Sequence, residues 1–257
     1  MSARSATALA RVDVLGVPIC AGRFEDAVEE VAGWVARGER SYATFTGVHG
    51  VMESQRRADI LDAHRDAGLV ACDGMPMVWA SRRAGVKRAE RMYGPDFMLS
   101  MCERAAREGW TSFFYGGKPG IADDMADSLT ARFPGLKIVG SYSPPFRALT
   151  PEEEADVDAM INRAQPDLVW VGLSTPKQEL WMPRHRATLD AAALLGVGAA
   201  FDFHAGVVRQ APRWIQRSGL EWLWRLAMEP RRLAGRYLRN NPSFVFQIVR
   251  RPPRLMS

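Results

Sequence analysis

The sequence predicts an α/β fold, a parallel sheet covered on both faces by helices, with a basic helical appendage at its C-terminus. Two patterns carry the prediction. Short β-branched or aromatic runs alternate with amphipathic stretches of helical length, the order that places parallel strands between helical layers. The last 45 residues then abandon this alternation for arginine, tryptophan and helical spacing. At 257 residues, 47% hydrophobic and 25% charged, the chain can bury a substantial core as one large domain or two small lobes.

In chain order, residues 12–19 read as an edge strand or hairpin. Strands follow over 42–46, 69–72, 112–115, 136–139, 168–171 and 194–201. Helical patterns lie between them over 24–37, 51–67, 95–108, 121–132, 151–164 and 177–186. The sharpest helix start is Thr150 followed by Pro151, Glu152 and Glu153: an N-cap, an N1 proline, then acids at the positive helix end. Residues 141–149, with Pro144 and Pro145, are the most loop-like internal stretch.

Residues 1–212 form the predicted body and 213–257 the appendage. The appendage holds ten arginines, no lysine and two acids, Glu221 and Glu229, a net +8 in a chain of net +5. It also holds three of the eight tryptophans, Trp214, Trp222 and Trp224. Leu220, Leu223, Trp224 and Ala227 follow helical spacing, with Arg225 on another face. Pro230 interrupts, a second helical pattern carries Leu233, Tyr237, Arg232 and Arg236, and Pro242, Pro252 and Pro253 break the remainder. Such a segment suits phosphate, an anionic lipid surface or nucleic acid.

Cys20, Cys72 and Cys102 are far apart and form no Cys-x-x-Cys or Cys/His metal spacing, which points to a reducing, cytoplasmic setting. The N-terminus has no continuous apolar segment of the secretory kind. The longest apolar run, 191–201, is too short to span a bilayer.

In open α/β sheets ligands bind beyond the carboxyl ends of the strands, so the residues after each strand are the candidates. Thr46, Gly47, Val48 and His49 follow the strand at 42–46; Asp73 and Gly74 follow 69–72. Asp73 is either a turn aspartate or a general base whose pKa partial burial raises. Gly116, Gly117, Lys118, Pro119 and Gly120 are either a tight turn or a cradle whose backbone N–H groups hold a diphosphate before a helix. They match neither a Walker A loop nor Gly-x-Gly-x-x-Gly. Gly172, Leu173, Ser174, Thr175, Pro176, Lys177, Gln178 and Glu179 open a helix, where Gln178 and Glu179 form a polar pocket wall or a solvated first turn. Asp202, at the end of a very apolar strand, needs a partner such as a sugar hydroxyl, a backbone amide or an arginine. His49, His64, His185 and His204 lack metal-ligand spacing and read as surface or satisfied core residues. The one Asp-x-Asp, Asp156-Val157-Asp158, sits inside the helix 151–164 and reads as a solvated face, so no metal site is expected.

These segments occur in an order that resembles one family. Asp73-Gly74, Arg91-Met92-Tyr93-Gly94-Pro95-Asp96, Phe114-Tyr115-Gly116-Gly117, Gly172 through Glu179 and Gly198-Ala199-Ala200-Phe201-Asp202 come in turn. Gly206, Arg209-Gln210-Ala211-Pro212, Gly219-Leu220-Glu221-Trp222, Arg225 and Glu229-Pro230-Arg231-Arg232 follow. Over roughly 12–240 the chain resembles the bacterial WecG/TagA/CpsF glycosyltransferases, which build wall teichoic acid linkage units, enterobacterial common antigen and exopolysaccharides. The resemblance implies a Rossmann-like body with a helical appendage. It implies transfer from a UDP-sugar donor to a sugar on a polyprenyl diphosphate at the inner face of the plasma membrane, with inversion and without a metal or other cofactor. The family's proposed base matches Asp73, and Arg91, Gln178 and Asp202 match polar pocket positions. The appendage arginines that complete the site over the diphosphate match Arg225 and Arg232 most closely, then Arg231 and Arg236. Thr46, Gly116, Gly117, Gly172, Glu179 and Arg209 are the further candidates for substrate binding.

One departure stands out. Many members carry Thr-x-Asn after the strand matching 42–46, whereas this chain has Thr44-Phe45-Thr46-Gly47-Val48-His49, with a hydroxyl and no amide. The donor is therefore not fixed as an N-acetylmannosamine nucleotide. Two rivals stand beside the transferase. A nucleotide-sugar-modifying Rossmann enzyme would need a dinucleotide fingerprint and usually a Tyr-x-x-x-Lys pair, neither of which occurs. A nucleic-acid-binding module would use the basic tail, but nothing else reads as a nucleic-acid fold, and no nucleic-acid partner is expected. An anionic membrane surface is the expected further partner, and a homo-oligomer stays open.

Overall fold

A computed structural model of the chain describes residues 9–256. It opens with a hairpin: β1 (Ala10–Val14) pairs antiparallel with β2 (Val17–Ala21), Val14 opposite Val17. Leu15 and Gly16 both take positive φ, the two-residue turn whose twist matches that of the flanking strands. Next come α1 (Phe24–Arg37), β3 (Ser41–Thr46), α2 (Val48–Ser54), α3 (Ala58–Arg65), β4 (Leu69–Cys72), α4 (Met75–Arg83) and α5 (Gly94–Glu108). Strand β5 (Thr111–Gly116), α6 (Ile121–Arg132), β6 (Lys137–Tyr142), α7 (Pro151–Ala164), β7 (Leu168–Gly172), α8 (Lys177–His185), β8 (Ala193–Gly196) and α9 (Ala200–His204) continue the alternation. The chain ends in α10 (Arg213–Ser218), α11 (Glu221–Met228), α12 (Pro230–Arg250) and the two-residue β9 (Arg254–Leu255). The predicted α/β fold is present.

Two compact units divide the chain. One comprises Val28–Thr44 and Gly94–Val208. Its strands run in the order β6-β5-β7-β8-β3, every pair parallel, with Ser41 opposite Ala193 and Thr111 opposite Lys137. Phe113, Phe114 and Tyr115 of β5 and Val169, Trp170 and Val171 of β7 are all buried, as strands covered on both faces must be. Trp34, Phe97, Met125, Ile161 and Met182 are among the buried side chains of α1, α5, α6, α7 and α8. Each contributes about 1.5–3 kcal/mol by leaving water. Helix α7 starts as its sequence predicts: the Thr150 hydroxyl accepts from Glu153 N–H at 3.2 Å, and the Glu153 carboxylate accepts from Thr150 N–H at 2.9 Å.

The other unit gathers the described residues through Ala27, Phe45–Tyr93, and the described residues from Arg209 on. Strand β2 lies at its centre, parallel to β4 (Cys20 opposite Ala71) and antiparallel to β1, with β9 beyond β1. Helices α3 and α4 pack on β2, α12 packs on α2 and α11, and α10 packs on α4 and α11. Among the described residues no helix is long and apolar enough to cross a membrane.

Several elements differ from expectation, among them α4, which falls where no helix is predicted. The stretch 51–67 is two helices, α2 and α3, separated at 55–57. Strand β6 is shifted to Lys137–Tyr142. The apolar run 194–201 is strand only to Gly196; Gly198 takes φ +52° and residues 200–204 coil into α9. A short apolar run buries equally well as strand or helix, so its composition could not separate the two. Pro242 does not break the tail: α12 runs through it as one 21-residue helix. A mid-helix proline costs about 3 kcal/mol, and the packing of α12 on α2 and α11 offsets it.

Candidate active site

Asp73 sits where β4 ends. Its N–H donates to the Thr46 carbonyl at 3.1 Å, so the backbone is fixed and the carboxylate projects from the strand terminus. Gly74, at φ +84°, makes the bend into α4 that an L-residue resists. The segment before α5 lies alongside, because Met92 N–H donates to the Cys72 carbonyl at 2.9 Å. This brings Arg91 to Asp73: Nε donates to Oδ1 at 3.1 Å. The same guanidinium places Nη1 2.5 Å from Oε2 of Glu221, in the first turn of α11. The ring of Tyr93 lies under it, 4.0 Å from Cζ to the centroid.

The three charged side chains are 22%, 16% and 12% exposed for Asp73, Arg91 and Glu221. Burial raises the pKa of Asp73; Arg91 opposes that rise and Glu221 adds to it. Burial works against the charge of Arg91, but Asp73 and Glu221 more than restore it and hold its pKa above the ordinary value. The Tyr93 phenol is pushed up, chiefly by burial, and its hydroxyl has no hydrogen-bond partner. One Arg charge thus serves two carboxylates.

Arg225, one helical turn beyond Glu221, is half-buried and acts electrostatically on both Tyr93 and Tyr237. Arg236 of α12 is half-buried, and its pKa is lowered by burial and then by Arg232 and Arg225 among its neighbours. Arg225, Arg232 and Arg236 therefore form a set of like charges that an anion would relieve. Arg232 is exposed and bound to Glu229; Arg231 and Arg209 are exposed. Thr46 is buried, its hydroxyl 2.9 Å from Nε2 of the wholly buried His64.

The other unit carries the remaining candidates. A Cβ on Gly116 would stand 2.7 Å from the Gly172 carbonyl group, and one on Gly172 would stand 2.7 Å from the Phe201 ring. Close approach of β5 to β7 under Phe201 thus accounts for Gly116 and Gly172. Gly117 N–H donates to the Gly172 carbonyl at 3.1 Å, so that amide is not available to a cradled phosphate. Gln178 and Glu179 are 3% and 1% exposed, which excludes a solvated first turn. Gln178 Nε2 donates to the Gly196 carbonyl at 2.7 Å, and Glu179 Oε1 accepts from the Thr175 hydroxyl at 2.8 Å. Gln178 Oε1 and Glu179 Oε2 are buried acceptors without a partner, and burial raises the pKa of Glu179. Asp202 lies in α9 rather than at a strand end, and its carbonyl accepts from Val207 and Val208 N–H.

Asp158 is not solvated as expected: it accepts from the Thr188 hydroxyl and lies 2.6 Å from Nδ1 of His185, tying α7 to the end of α8. Among the described residues no three His, Cys, Asp or Glu side chains are grouped to hold a metal ion. Sequence reasoning gave no role to Glu221 or Tyr93. The signal for Glu221 was present, since it is one of two acids in an otherwise basic tail.

Relatives of this chain are known. The chain is 30% identical over 172 residues to the N-acetylglucosaminyldiphosphoundecaprenol N-acetyl-beta-D-mannosaminyltransferase of Bacillus subtilis (strain 168), covering 67% of this chain and 65% of the relative. It is 28% identical over 199 residues to the protein of the same description from Bacillus spizizenii, covering 77% of this chain and 74% of the relative. The chain thus spans just under two thirds of the first relative's length. Residues 12–256 match the sequence model of the Glycosyl transferase WecG/TagA/CpsF family, and the chain belongs to that family.

Proposed function

We propose that this protein is an inverting glycosyltransferase that moves a sugar from a UDP-sugar to a sugar on a polyprenyl diphosphate, at the inner face of the bacterial plasma membrane. The observation that carries it is the half-buried Asp73 carboxylate at the end of β4, held on one oxygen by Arg91. The relatives' names specify N-acetylglucosaminyl diphosphoundecaprenol as their acceptor, which supports an acceptor of that class here. Family membership favours transfer over a nucleotide-sugar-modifying or nucleic-acid-binding role.

The chemistry is a single displacement. Asp73 takes the proton from the acceptor hydroxyl; its oxygen bonds to the anomeric carbon as the bond from that carbon to the diphosphate oxygen breaks. UDP leaves with the bonding electrons, and attack opposite the leaving group inverts the centre. Arg225, with Arg232 and Arg236 in electrostatic reach, is read as the counter-charge for a diphosphate, a task that charge-assisted hydrogen bonds perform without a metal. The unpartnered Gln178 Oε1 and Glu179 Oε2 are read as acceptors for substrate hydroxyls, and Thr46 and Asp202 as further substrate contacts.

Asp73→Asn tests the reading. A positioned base contributes about 10²–10⁴-fold, so turnover with a short-chain lipid-diphosphate N-acetylglucosamine acceptor falls by that factor, with UDP-N-acetylmannosamine and UDP-glucose assayed as donors. UDP binding by calorimetry is unchanged. Near-normal turnover removes Asp73 from the role.

A further inference from the structure

We propose that Glu221 is a positioning residue for the transfer: from α11 its carboxylate forms an ion pair with Nη1 of Arg91 and so tilts the guanidinium until Nε alone reaches Asp73. The inference rests on the reading of Asp73 as the base. An arginine left alone with a carboxylate settles into a two-bond fork that engages both oxygens. Here that fork, which would use Nε and Nη2, is not closed: Nη2 makes no bond to Asp73, and the opposite nitrogen, Nη1, is held by Glu221. Arg91 reaches Asp73 through Nε on Oδ1 at 3.1 Å, while its Nη1 lies 2.5 Å from Glu221 Oε2. Arg91 makes no bond to Oδ2 of Asp73, the oxygen read as the proton acceptor. The Tyr93 ring, 4.0 Å from the guanidinium carbon, closes one face and limits how the group can swing.

Charge points the same way. The titratable and charged groups around Asp73 are Cys72 on β4, Arg91 and Tyr93 on the segment before α5, and Glu221 on α11, with Arg225 beyond Tyr93. Arg91 is the cation that draws Asp73 toward a weaker base, and Glu221 offsets it. Glu221 also shares a helix with Arg225, so one element delivers both the clamp on Arg91 and the proposed diphosphate cation. Without Glu221, Arg91 would close on both oxygens of Asp73, and the carboxylate would be a poorer base even with the helix in place.

The test uses the full chain as Glu221→Gln, Glu221→Asp and Asp73→Asn beside the wild type. Turnover is followed against pH with the donors and short-chain acceptor named above. Glu221→Gln is nearly isosteric and is expected to move the acidic limb of kcat down by about one pH unit. It should lower the plateau about tenfold, with KM for the donor within about twofold. Glu221→Asp keeps the charge but retracts it by one methylene and falls between, so it carries the test if the Gln variant does not fold. A carboxyl-carbon NMR titration of Asp73 reads the same shift without substrate. An acidic limb and an Asp73 midpoint unmoved in the folded variants overturn the proposal, even if the plateau falls, because a merely structural role lowers rate at every pH alike. If Asp73→Asn keeps its turnover, the reading of the base fails instead, whatever the Glu221 variants do.

Discussion

Burial fixes both the charge and the tautomer of His64. The Ile60 carbonyl, 2.8 Å from Nδ1, can only accept, so Nδ1 carries the hydrogen and Nε2 receives the Thr46 hydroxyl at 2.9 Å. Desolvation lowers the pKa to about 4 against an ordinary 6.5. As pH falls below about 6.5 the unfolded chain takes up a proton that the folded chain refuses, so this contribution to stability is complete above 6.5 and is lost on the way down to about 4. The difference is worth about 3 kcal/mol. Urea melts at pH 7.0 and 4.5 are therefore expected to show a steeper loss for wild type than for His64→Gln, which cannot titrate there. Equal losses would mean that His64 is not held neutral. At this scale the sequence was partly legible. Asp73 announces itself as a carboxylate placed directly after an apolar strand. Glu221 shows only as one of two acids in a basic tail; its partner Arg91 lies far away along the chain, and neither propensity nor periodicity records a meeting of that kind. Asp158 was misread for the same reason: a helix-surface acid looks solvated until the end of another helix arrives beside it.

Helix α12 is held to α2 by a polar link rather than by apolar packing alone. Asn240, 2% exposed, accepts from Arg56 Nη2 at 2.6 Å and lies 2.9 Å from Nδ1 of His49 through its amide nitrogen. Arg56 is anchored in turn by Glu53 at 2.7 Å. The link lies within one turn of Pro242, where the helix lacks a backbone donor, so it steadies the turn that the proline weakens. Asn240→Ala removes one side chain and takes a bond from each of two partly buried groups, and it is expected to cost about 1–3 kcal/mol. The measurement is the change in urea midpoint at constant m. An unaltered midpoint would show that solvent replaces the amide without loss. Alternation of apolar runs with helical patterns was enough to place most elements, because each parallel strand must be apolar on both faces. It failed where tertiary contacts decide. Packing carries α12 through Pro242, and the turn at Gly198 converts the end of an apolar run into α9.

At the scale of the whole molecule, the basic tail belongs to a unit that also exposes apolar surface. Of a net +5, the last 45 residues carry +8, and the unit containing them leaves Trp79, Trp214, Leu220 and Leu223 at 47–70% exposure. Arginine beside half-exposed tryptophan and leucine suits the headgroup region of an anionic bilayer, where each basic residue adds about 1 kcal/mol. Deleting the tail would not test this cleanly. Leu233 and Phe244 of α12 are buried, so truncation would uncover core as well as remove charge. Point changes on the exposed side chains avoid that difficulty. The full chain is expected to co-sediment with vesicles containing phosphatidylglycerol and to release as salt shortens the screening length. Trp214→Ala combined with Leu223→Ala is expected to weaken that binding about tenfold or more, by removing apolar area that enters the interface at about 25 cal/mol per Å², while its melting temperature stays close to wild type. Vesicle binding that ignores both salt and the double substitution would show that neither the arginines nor the exposed apolar residues of this unit meet the membrane. The polyprenyl-linked acceptor proposed for this protein would then have to be reached through some other surface.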